Sequence, residues 1–145
     1  MRNESMLENG TDMSVEKNKR IVMRLIDEVW NKNNLQVLDE LLDPTYFDYS
    51  YVPGNREGFE RTLAVMQEAF PGHRTTIEEI VGEGDTIAVC QTLSGTHGGT
   101  FRGMSASGKQ FEVGGYRFYR VVNGKIVSHR GLIDLPSLLE QLGSR

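Results

Sequence analysis

The sequence has few of the features that mark several large classes of protein. Its 145 residues include one cysteine, Cys90, which excludes a disulfide within the chain and is expected to be a buried, inert thiol. The 16 basic and 20 acidic residues give a net charge of −4, and no basic stripe alternates with aromatics, so nucleic acid is not an expected partner. No apolar run approaches membrane-spanning length, and residues 1–13 lack a signal-peptide core. A cytoplasmic protein without a membrane partner is predicted.

Motifs for metal ions, nucleotides and serine nucleophiles are missing as well. The three histidines, at positions 73, 97 and 129, lack the close spacing of metal ligands. The serines of Gly103–Gly108 do not form a Gly-x-Ser-x-Gly motif, and no glycine-rich phosphate loop occurs. Neither a metal nor a cofactor is predicted.

What is present is a helical half followed by a strand-rich half. Ser14 or Asp12 can cap the first helix, and Ile21, Leu25 and Val29 fall on its apolar face. The predicted helices cover residues 14–31, 35–42 and 56–70; the predicted strands cover 75–81, 86–97, 110–122 and 125–133; a short helix covers 135–142. Residues 44–54 are expected to be irregular. Three helices thus precede all predicted strands.

This order of elements predicts an α+β fold with helices packed on one face of a strongly curved antiparallel or mixed sheet. Asn123-Gly124 is a strong signal for a two-residue hairpin. The longest predicted strands need bends, for which Gly95 and Gly114-Gly115 are candidates. Residues 1–13 are expected to be a flexible extension, and residues 14–145 a single domain.

The C-terminal residues resemble a known family. The run Gly124-Lys125-Ile126-Val127-x-His129, then Asp134, then Leu138-Leu139-x-Gln141-Leu142-Gly143 is similar to the closing signature of the SnoaL-like polyketide cyclases. Phe70-Pro71, Gly95-Thr96-His97-x-Gly99 and Tyr119-Arg120 resemble further landmarks, so the resemblance covers roughly residues 15–143. This family belongs to the nuclear-transport-factor-2-like superfamily.

The resemblance carries expectations about fold and function. It implies a cone-shaped α+β barrel with an internal pocket and a homodimer formed through the outer sheet face. It also implies cofactor-free acid/base chemistry, of the cyclase or isomerase kind, on a small apolar or mixed-polarity molecule. A hydrolase resembling epoxide hydrolases on the same scaffold, or a non-catalytic ligand-binding protein, remains an alternative.

Asp134 is the first candidate for chemistry. Strand alternation places Arg130, Leu132 and Asp134 on one face. If this face lines the pocket, burial raises the pKa of Asp134 toward a range useful for proton transfer. The other interpretation is that Asp134 caps the helix that begins at Leu135. In the family, an aspartate that matches Asp134 is the general acid/base of an intramolecular aldol ring closure.

The histidines offer a second catalytic candidate. His97 ends a long strand and can donate to an enolate or relay a proton, or it can instead hold the following glycine turn. His129 alternates to the face opposite Asp134 and is expected to pack under the helices or at a subunit contact. His73 is expected to be exposed.

The predicted substrate-binding residues lie on several elements. Arg130 and Gln91 replace aromatic residues of many relatives, so two pocket positions are expected to have gained hydrogen-bond donors. Arg130 can hold a carboxylate, lower the pKa of Asp134, polarise an epoxide oxygen, or pair with an acid at the rim. The remaining candidates are Leu132, Tyr49, Tyr119 and Trp30. Which face of strand 110–122 lines the pocket stays open.

Overall fold

The computed structural model describes residues 14–143. The predicted extension 1–13, with the alternative cap Asp12, lies outside the described residues. Helix α1 covers residues 14–30, α2 Leu38–Leu41, α3 Arg56–Ala69 and α4 Leu135–Gly143. The strands are β1 Leu42–Asp48, β2 Arg74–Glu83, β3 Thr86–Thr96, β4 Gln110–Val122 and β5 Lys125–Ile133.

The five strands form one mixed sheet in the order β1-β5-β4-β3-β2. The β1–β5 pair is parallel and the other pairs are antiparallel. The α+β prediction is therefore confirmed. The expected barrel is not, because within residues 14–143 the sheet stays open, with β1 and β2 as its edges.

Strand β1 is the element that the sequence pattern did not predict. It occupies part of the segment expected to be irregular and lies between α2 and α3, so the prediction of three helices before all strands is wrong. Pro44 is tolerated because β1 is an edge strand that pairs only with β5. The pairing is parallel and distant in sequence, so no local hairpin signal announces it.

Helix α1 ends in a wide turn that fixes its position on the sheet. Residues Leu25–Trp30 are π-helical, and the Asn31 N–H donates to the Ile26 carbonyl at 3.0 Å. The Asn31 side chain then bonds the Thr75 backbone twice, accepting from its N–H at 2.7 Å and donating to its carbonyl at 2.9 Å. These bonds hold the end of α1 against β2 and place Trp30 over the sheet.

Strands β4 and β5 meet in the predicted two-residue hairpin. Asn123 and Gly124 have φ angles of 52° and 80°, as a type I′ turn requires. No bulge occurs at Gly114-Gly115, since β3 and β4 pair without a register shift. Side chains of β4 therefore alternate strictly along the strand. Every second residue from Phe111 to Val121 is buried beneath the helices, and those between them are exposed.

Candidate active site

A row of polar side chains crosses the inner face of the sheet. Asp48 on β1 pairs in register with His129 on β5, and Arg117 and Gln91 continue the row on β4 and β3. All four are at most 7% exposed. Four adjacent buried polar residues on a face built for apolar packing are costly unless they bond to one another. The row is therefore the first place to look for chemistry.

Asp48 is held as a carboxylate. His129 Nδ1 lies 3.1 Å from both of its oxygens, the Ser50 N–H donates to it at 2.9 Å, and the Tyr46 hydroxyl donates a short hydrogen bond. Burial alone raises the pKa of Asp48, but the hydrogen bonds from His129 and Tyr46 outweigh it and hold the pKa below its usual value. Asp48 is thus a buried anion.

His129 is neutral, and its neighbours fix its tautomer. A carboxylate on one side requires an N–H at Nδ1, and Arg117, which only donates, requires an acceptor at Nε2. The Arg117 Nη1 to His129 Nε2 distance is 3.0 Å. Burial lowers the pKa of His129 and Arg117 lowers it further, although Asp48 acts in the opposite direction. The imidazole therefore carries a lone pair at Nε2.

Two of the three guanidinium nitrogens of Arg117 make hydrogen bonds. Its Nε donates to Gln91 Oε1 at 3.1 Å, its Nη1 donates to the Tyr51 hydroxyl at 3.0 Å, and its guanidinium lies 4.3 Å from the Trp30 ring centre. Burial acts to lower the pKa of Arg117, but Tyr51 and Tyr119 outweigh it and the pKa is raised. Within residues 14–143, Nη2 has no hydrogen-bond partner.

Two further buried groups complete the surroundings of this row. The Tyr119 ring centre lies 5.0 Å from that of His129, and burial raises the pKa of Tyr119 to about 12. Gln91 leaves its Nε2 donor without a partner among the described residues. Both groups remain neutral near pH 7, so the row carries one negative charge on Asp48 and one positive charge on Arg117.

A cavity of about 340 Å³ opens beside Arg117. Its apolar lining is formed by Trp30, Met66, Leu93, Leu132, Ile133 and Leu135. Its other lining residues are Ser50, Tyr51, Thr62, Arg102, Arg117 and Gly131. Such a mixture of apolar wall and few polar groups is typical of small-molecule sites.

Gly131 leaves room at the contact between His129 and Arg117. A Cβ atom at this position would lie 2.6 Å from His129 Nε2 and 3.1 Å from Arg117 Cγ. Since Gly131 itself lines the cavity, the missing side chain brings the cavity close to the His129 lone pair. A glycine that permits close approach is the expected residue here.

Three predicted contact residues lie on the inner side of the sheet. Trp30 lines the cavity, Gln91 bonds Arg117, and Tyr119 packs on His129. The open question about β4 is answered, because Arg117 and Tyr119 are buried while Tyr116 and Phe118 are exposed. Direct contact of Gln91 or Tyr119 with a ligand stays a prediction.

The expected pocket placement of Arg130 and Tyr49 is wrong, because neither residue lines the cavity. Residues directly opposite in an antiparallel pair share a face, and Phe118 lies opposite Arg130 and Tyr116 opposite Leu132. Arg130 stacks on the exposed ring of Tyr49, 3.6 Å from its centre. Leu132 is 81% exposed and is one of the residues that line the cavity, and its contact with a ligand stays a prediction.

Asp134 is exposed rather than surrounded by apolar side chains. Its Oδ1 accepts from the Ser137 N–H at 3.2 Å, which makes it the cap of α4. Its neighbours Ile133 and Leu135 both line the cavity, whereas Asp134 itself does not. Its catalytic role stays a prediction.

The other two histidines, His97 and His73, are buried outside the cavity lining, and the catalytic role of His97 stays a prediction. His97 is buried, its Nδ1 lies 2.9 Å from Ser107 Oγ, and its backbone bonds Lys109 and Gly108, so it holds the returning loop and does not line the cavity. His73 is 5% exposed and packs against Gly95, so its expected exposure is wrong. Burial lowers the pKa of His73.

Sequence reasoning missed Asp48 and the use of Arg117, and it offered Tyr51 only as one of several aromatic residues whose polar tip could reach the pocket. Asp48 and Tyr51 fall in the segment predicted to be irregular, where no face can be assigned to a side chain. A signal was present, since Asp48 lies between Phe47 and Tyr49 and an acid among aromatic residues at a strand end is a candidate on the same grounds as Asp134.

Two broader expectations concern metal ions and membranes. No group of three or more His, Cys, Asp or Glu side chains in residues 14–143 is placed to hold a metal ion. No helix in the same part of the chain is long and apolar enough to cross a membrane.

Cys90 is partly exposed on the outer face, contrary to its expected burial.

Comparisons with known proteins agree on the family. Residues 20–142 match the SnoaL-like polyketide cyclases. The aklanonic acid methyl ester cyclase DauD of Streptomyces sp. (strain C5) is 30% identical over 109 residues, which are 74% of this chain and 67% of DauD. IdmH of Streptomyces antibioticus, a candidate polyketide cyclase, is 30% identical with a TM-score of 0.78, covering 87% of this chain and 98% of IdmH. A candidate SnoaL-like cyclase from Jannaschia sp. CCS1 shares the fold, with a TM-score of 0.81 at 24% identity over 90% of this chain and 94% of its own. The chain belongs to the SnoaL-like polyketide cyclase family.

Proposed function

We propose that this protein is a cofactor-independent cyclase that closes a ring in a carbonyl-containing small molecule by acid/base catalysis. The observation that carries the proposal is the buried series Asp48–His129–Arg117, whose last member lines the cavity. A ring closure of the aldol type needs a base to take a proton next to a carbonyl and a donor for the enolate oxygen. This series contains both.

His129 is the proposed base. When a carbonyl oxygen binds Arg117, the Nη1 donor turns from His129 Nε2 to that oxygen, and the lone pair of Nε2 becomes available beside Gly131. His129 Nε2 then takes the proton from the carbon next to the carbonyl. Asp48 stabilises the imidazolium that forms and holds the ring in place, as a carboxylate does behind a catalytic histidine.

Arg117 and Tyr51 are the proposed donors to the oxygen that gains charge. The enolate carbon attacks a second carbonyl of the same molecule, one carbon–carbon bond forms, and the resulting alkoxide takes back the proton from His129 Nε2. No atom is gained or lost, so the product is an isomer of the substrate. The hydrogen bond from Arg117 Nε to Gln91 keeps the guanidinium beside the cavity while Nη1 changes its partner.

Asp134 is the alternative acid/base residue. Support for it comes from the resemblance to the family and from its position between the cavity-lining residues Ile133 and Leu135. Its exposure and its use as the cap of α4, through the hydrogen bond from Ser137, weigh against this role. Both versions make the protein a cyclase and differ only in the group that moves the proton.

The test measures proton removal directly. Aklanonic acid methyl ester, the compound in the name of DauD, is incubated with the protein in deuterated water, and deuterium uptake and ring-closed isomer are followed by liquid chromatography and mass spectrometry. His129→Asn and Asp48→Asn are expected to lower the rate about 10²–10⁴-fold, while Asp134→Asn changes it less than about threefold. A loss confined to Asp134→Asn assigns the proton transfer to that residue instead.

The same experiment separates the remaining alternatives. A hydrolase would add the mass of one water and, in ¹⁸O-labelled water, the label. The hydrolase based on Arg130 beside Asp134 has lost its geometric support, since Arg130 packs on Tyr49 outside the cavity. A binding protein would take up the ligand without deuterium exchange, and this result would overturn the cyclase proposal.

We also retain the homodimer through the outer sheet face as a proposal. Its support is the apolar surface of Tyr116, Phe118 and Leu132, which are 63%, 51% and 81% exposed. Sedimentation of the wild type is expected to give twice the chain mass. Phe118→Arg is expected to give the monomer with unchanged circular dichroism, and a monomeric wild type would contradict the proposal.

A further inference from the structure

The two charged residues that line the cavity are both arginines. Arg117 lies at its buried side and Arg102 is exposed. Within the described part of the chain, no aspartate or glutamate lines this cavity. Both charges at the cavity are thus positive. The two arginines differ in whether an acidic side chain of the protein neutralises them.

The positive charge of Arg117 is already balanced. Its counter-ion is Asp48, reached through the neutral His129. A ligand carboxylate bonded to Arg117 would leave an excess negative charge in a buried place, which is costly. Arg117 therefore suits a neutral carbonyl oxygen that becomes charged only during the reaction.

Arg102 has no such balance. It makes no ion pair with any described residue, and its guanidinium carbon lies 6.0 Å from the Phe101 ring centre. Its exposed position lets a ligand anion keep part of its hydration while it pairs. An acidic group of a ligand therefore fits Arg102 better than Arg117.

The backbone that carries Arg102 departs from local preference. Phe101 and Met104 exchange N–H to carbonyl bonds of 2.9 and 2.8 Å around Arg102 and Gly103, whose φ angles are 50° and 82°. This is a type I′ turn, in which asparagine, aspartate or glycine is favoured at the arginine position. Phe101 anchors the turn, since its ring packs 4.9 Å from that of Phe70. An unfavoured side chain on an anchored turn beside a cavity is a sign of function.

We propose that Arg102 is a specificity residue that binds a carboxylate or a similarly acidic oxygen of the substrate at the cavity mouth. The substrate class is then a ketone that carries a carboxylate or an acidic hydroxyl, with this acidic group at Arg102 and the reacting carbonyl oxygen at Arg117. The inference rests on the proposed function in taking this cavity as the substrate site. Binding is measured without turnover, so the two can fail separately.

The test compares two ligands that differ in charge alone. The chain has one tryptophan, Trp30, which lines the cavity, so its fluorescence reports occupancy. 4-Cyclohexyl-4-oxobutanoate and its methyl ester are titrated into the full chain at low ionic strength. The acid is expected to bind about tenfold more tightly than the ester, and the preference is expected to shrink as salt is added.

Variants of Arg102 separate charge from structure. Arg102→Asn removes the charge and suits the turn, so the acid is expected to bind about tenfold more weakly, with ester binding unchanged and the melting temperature equal or higher. Arg102→Lys is expected to keep most of the acid preference. Arg120→Gln, on the outer face of β4, is the matched control and is expected to change neither affinity.

Three results would overturn the inference. They are equal binding of acid and ester by the wild type, no saturable acid binding at all, and an equal loss of both ligands in Arg102→Asn. Acid preference that depends on Arg102, without deuterium exchange in any ketone, would uphold this inference and overturn the cyclase proposal. Deuterium exchange that depends on Asp48, without tighter binding of the acid, would uphold the cyclase proposal and overturn this inference.

Discussion

The inner and outer faces of strands β4 and β5 carry opposite kinds of residue at alternating positions. Inside, Arg117 and His129 are buried and hydrogen-bonded to each other, and Tyr119 packs on the His129 ring; outside, Phe118 and Arg130 are exposed. Along each strand, inward-facing and outward-facing residues are direct neighbours in sequence. The comparison teaches that residue type does not reveal the face here, because the polar groups lie inside and large apolar groups lie outside.

The largest expected difference between the faces is in the stabilities of two aspartate variants. Asp48→Ala leaves Arg117 as a buried cation without a counter-ion, so the free energy of unfolding is expected to fall by about 3–5 kcal/mol. Asp134→Ala removes a helix cap and is expected to lower it by about 1 kcal/mol. Urea denaturation of both variants measures the two values. Equal losses would mean that the inner row is not a coupled buried network.

Two glycine variants compare the room for an added side chain on the inner and outer faces of the sheet. Gly131→Ala places a methyl group 2.6 Å from His129 Nε2, so it is expected to cost about 1–3 kcal/mol and to slow deuterium exchange. Gly114→Ala points outward with its nearest heavy atom at 4.0 Å, and it is expected to gain about 0.5 kcal/mol. Thermal unfolding and exchange rates of both variants test this. Unimpaired exchange in Gly131→Ala would argue against His129 as the base.

The inner histidines predict how stability depends on pH. The pKa values of His129 and His73 are lowered in the folded state, each with burial as the first cause. The unfolded chain therefore binds more protons below the usual histidine pKa of about 6.5, so stability is complete above that pH and is lost as pH falls toward the lower folded values. Asp48, whose pKa is also lowered, adds a loss of the same sign at more acidic pH.

Urea denaturation across pH 5 to 8 checks this dependence, with the range set by the usual histidine pKa. His129→Gln and His73→Gln are each expected to flatten part of the slope between about pH 6.5 and 5. An unchanged slope in His129→Gln would show that His129 is protonated to the same extent in both states.

The smallest effect is expected on the outer face. Arg130→Gln removes a stacked cation from the exposed ring of Tyr49, which is worth about 0.5–1 kcal/mol at an exposed site. Its rate of deuterium exchange is expected to match the wild type, because Arg130 does not line the cavity. A large loss of exchange rate in this variant would mean that Arg130 acts in the catalytic site after all.

Much of the fold was accessible from the sequence. Helix α3, the four antiparallel strands and the Asn123-Gly124 turn follow from local spacing and turn chemistry, which depend on near neighbours. Strand β1 could not be predicted in this way, because its partner β5 is remote in sequence and its Pro44 indicates a break in regular secondary structure. A parallel edge strand is defined by its tertiary partner.

The candidate site was accessible only in part. Alternation placed Gln91 correctly with its buried neighbours on β3, and it placed His129 on the face opposite Asp134. The choice of which face lines the cavity depends on where the helices pack, and local alternation carries no information about that. Asp134 illustrates the problem, since the same residue type serves as a helix cap and as a proton carrier.

The pairing of Asp48 with His129 spans 81 positions of the chain, and this has a consequence for folding. Contacts between distant residues require the largest loss of chain freedom before they form and are slow to appear. The antiparallel strands from β2 to β5 connect neighbours in sequence and can assemble first. We expect β1 to dock late, so the charge pair forms as the fold completes, and a nascent chain acquires its chemistry only when the last edge of the sheet is in place.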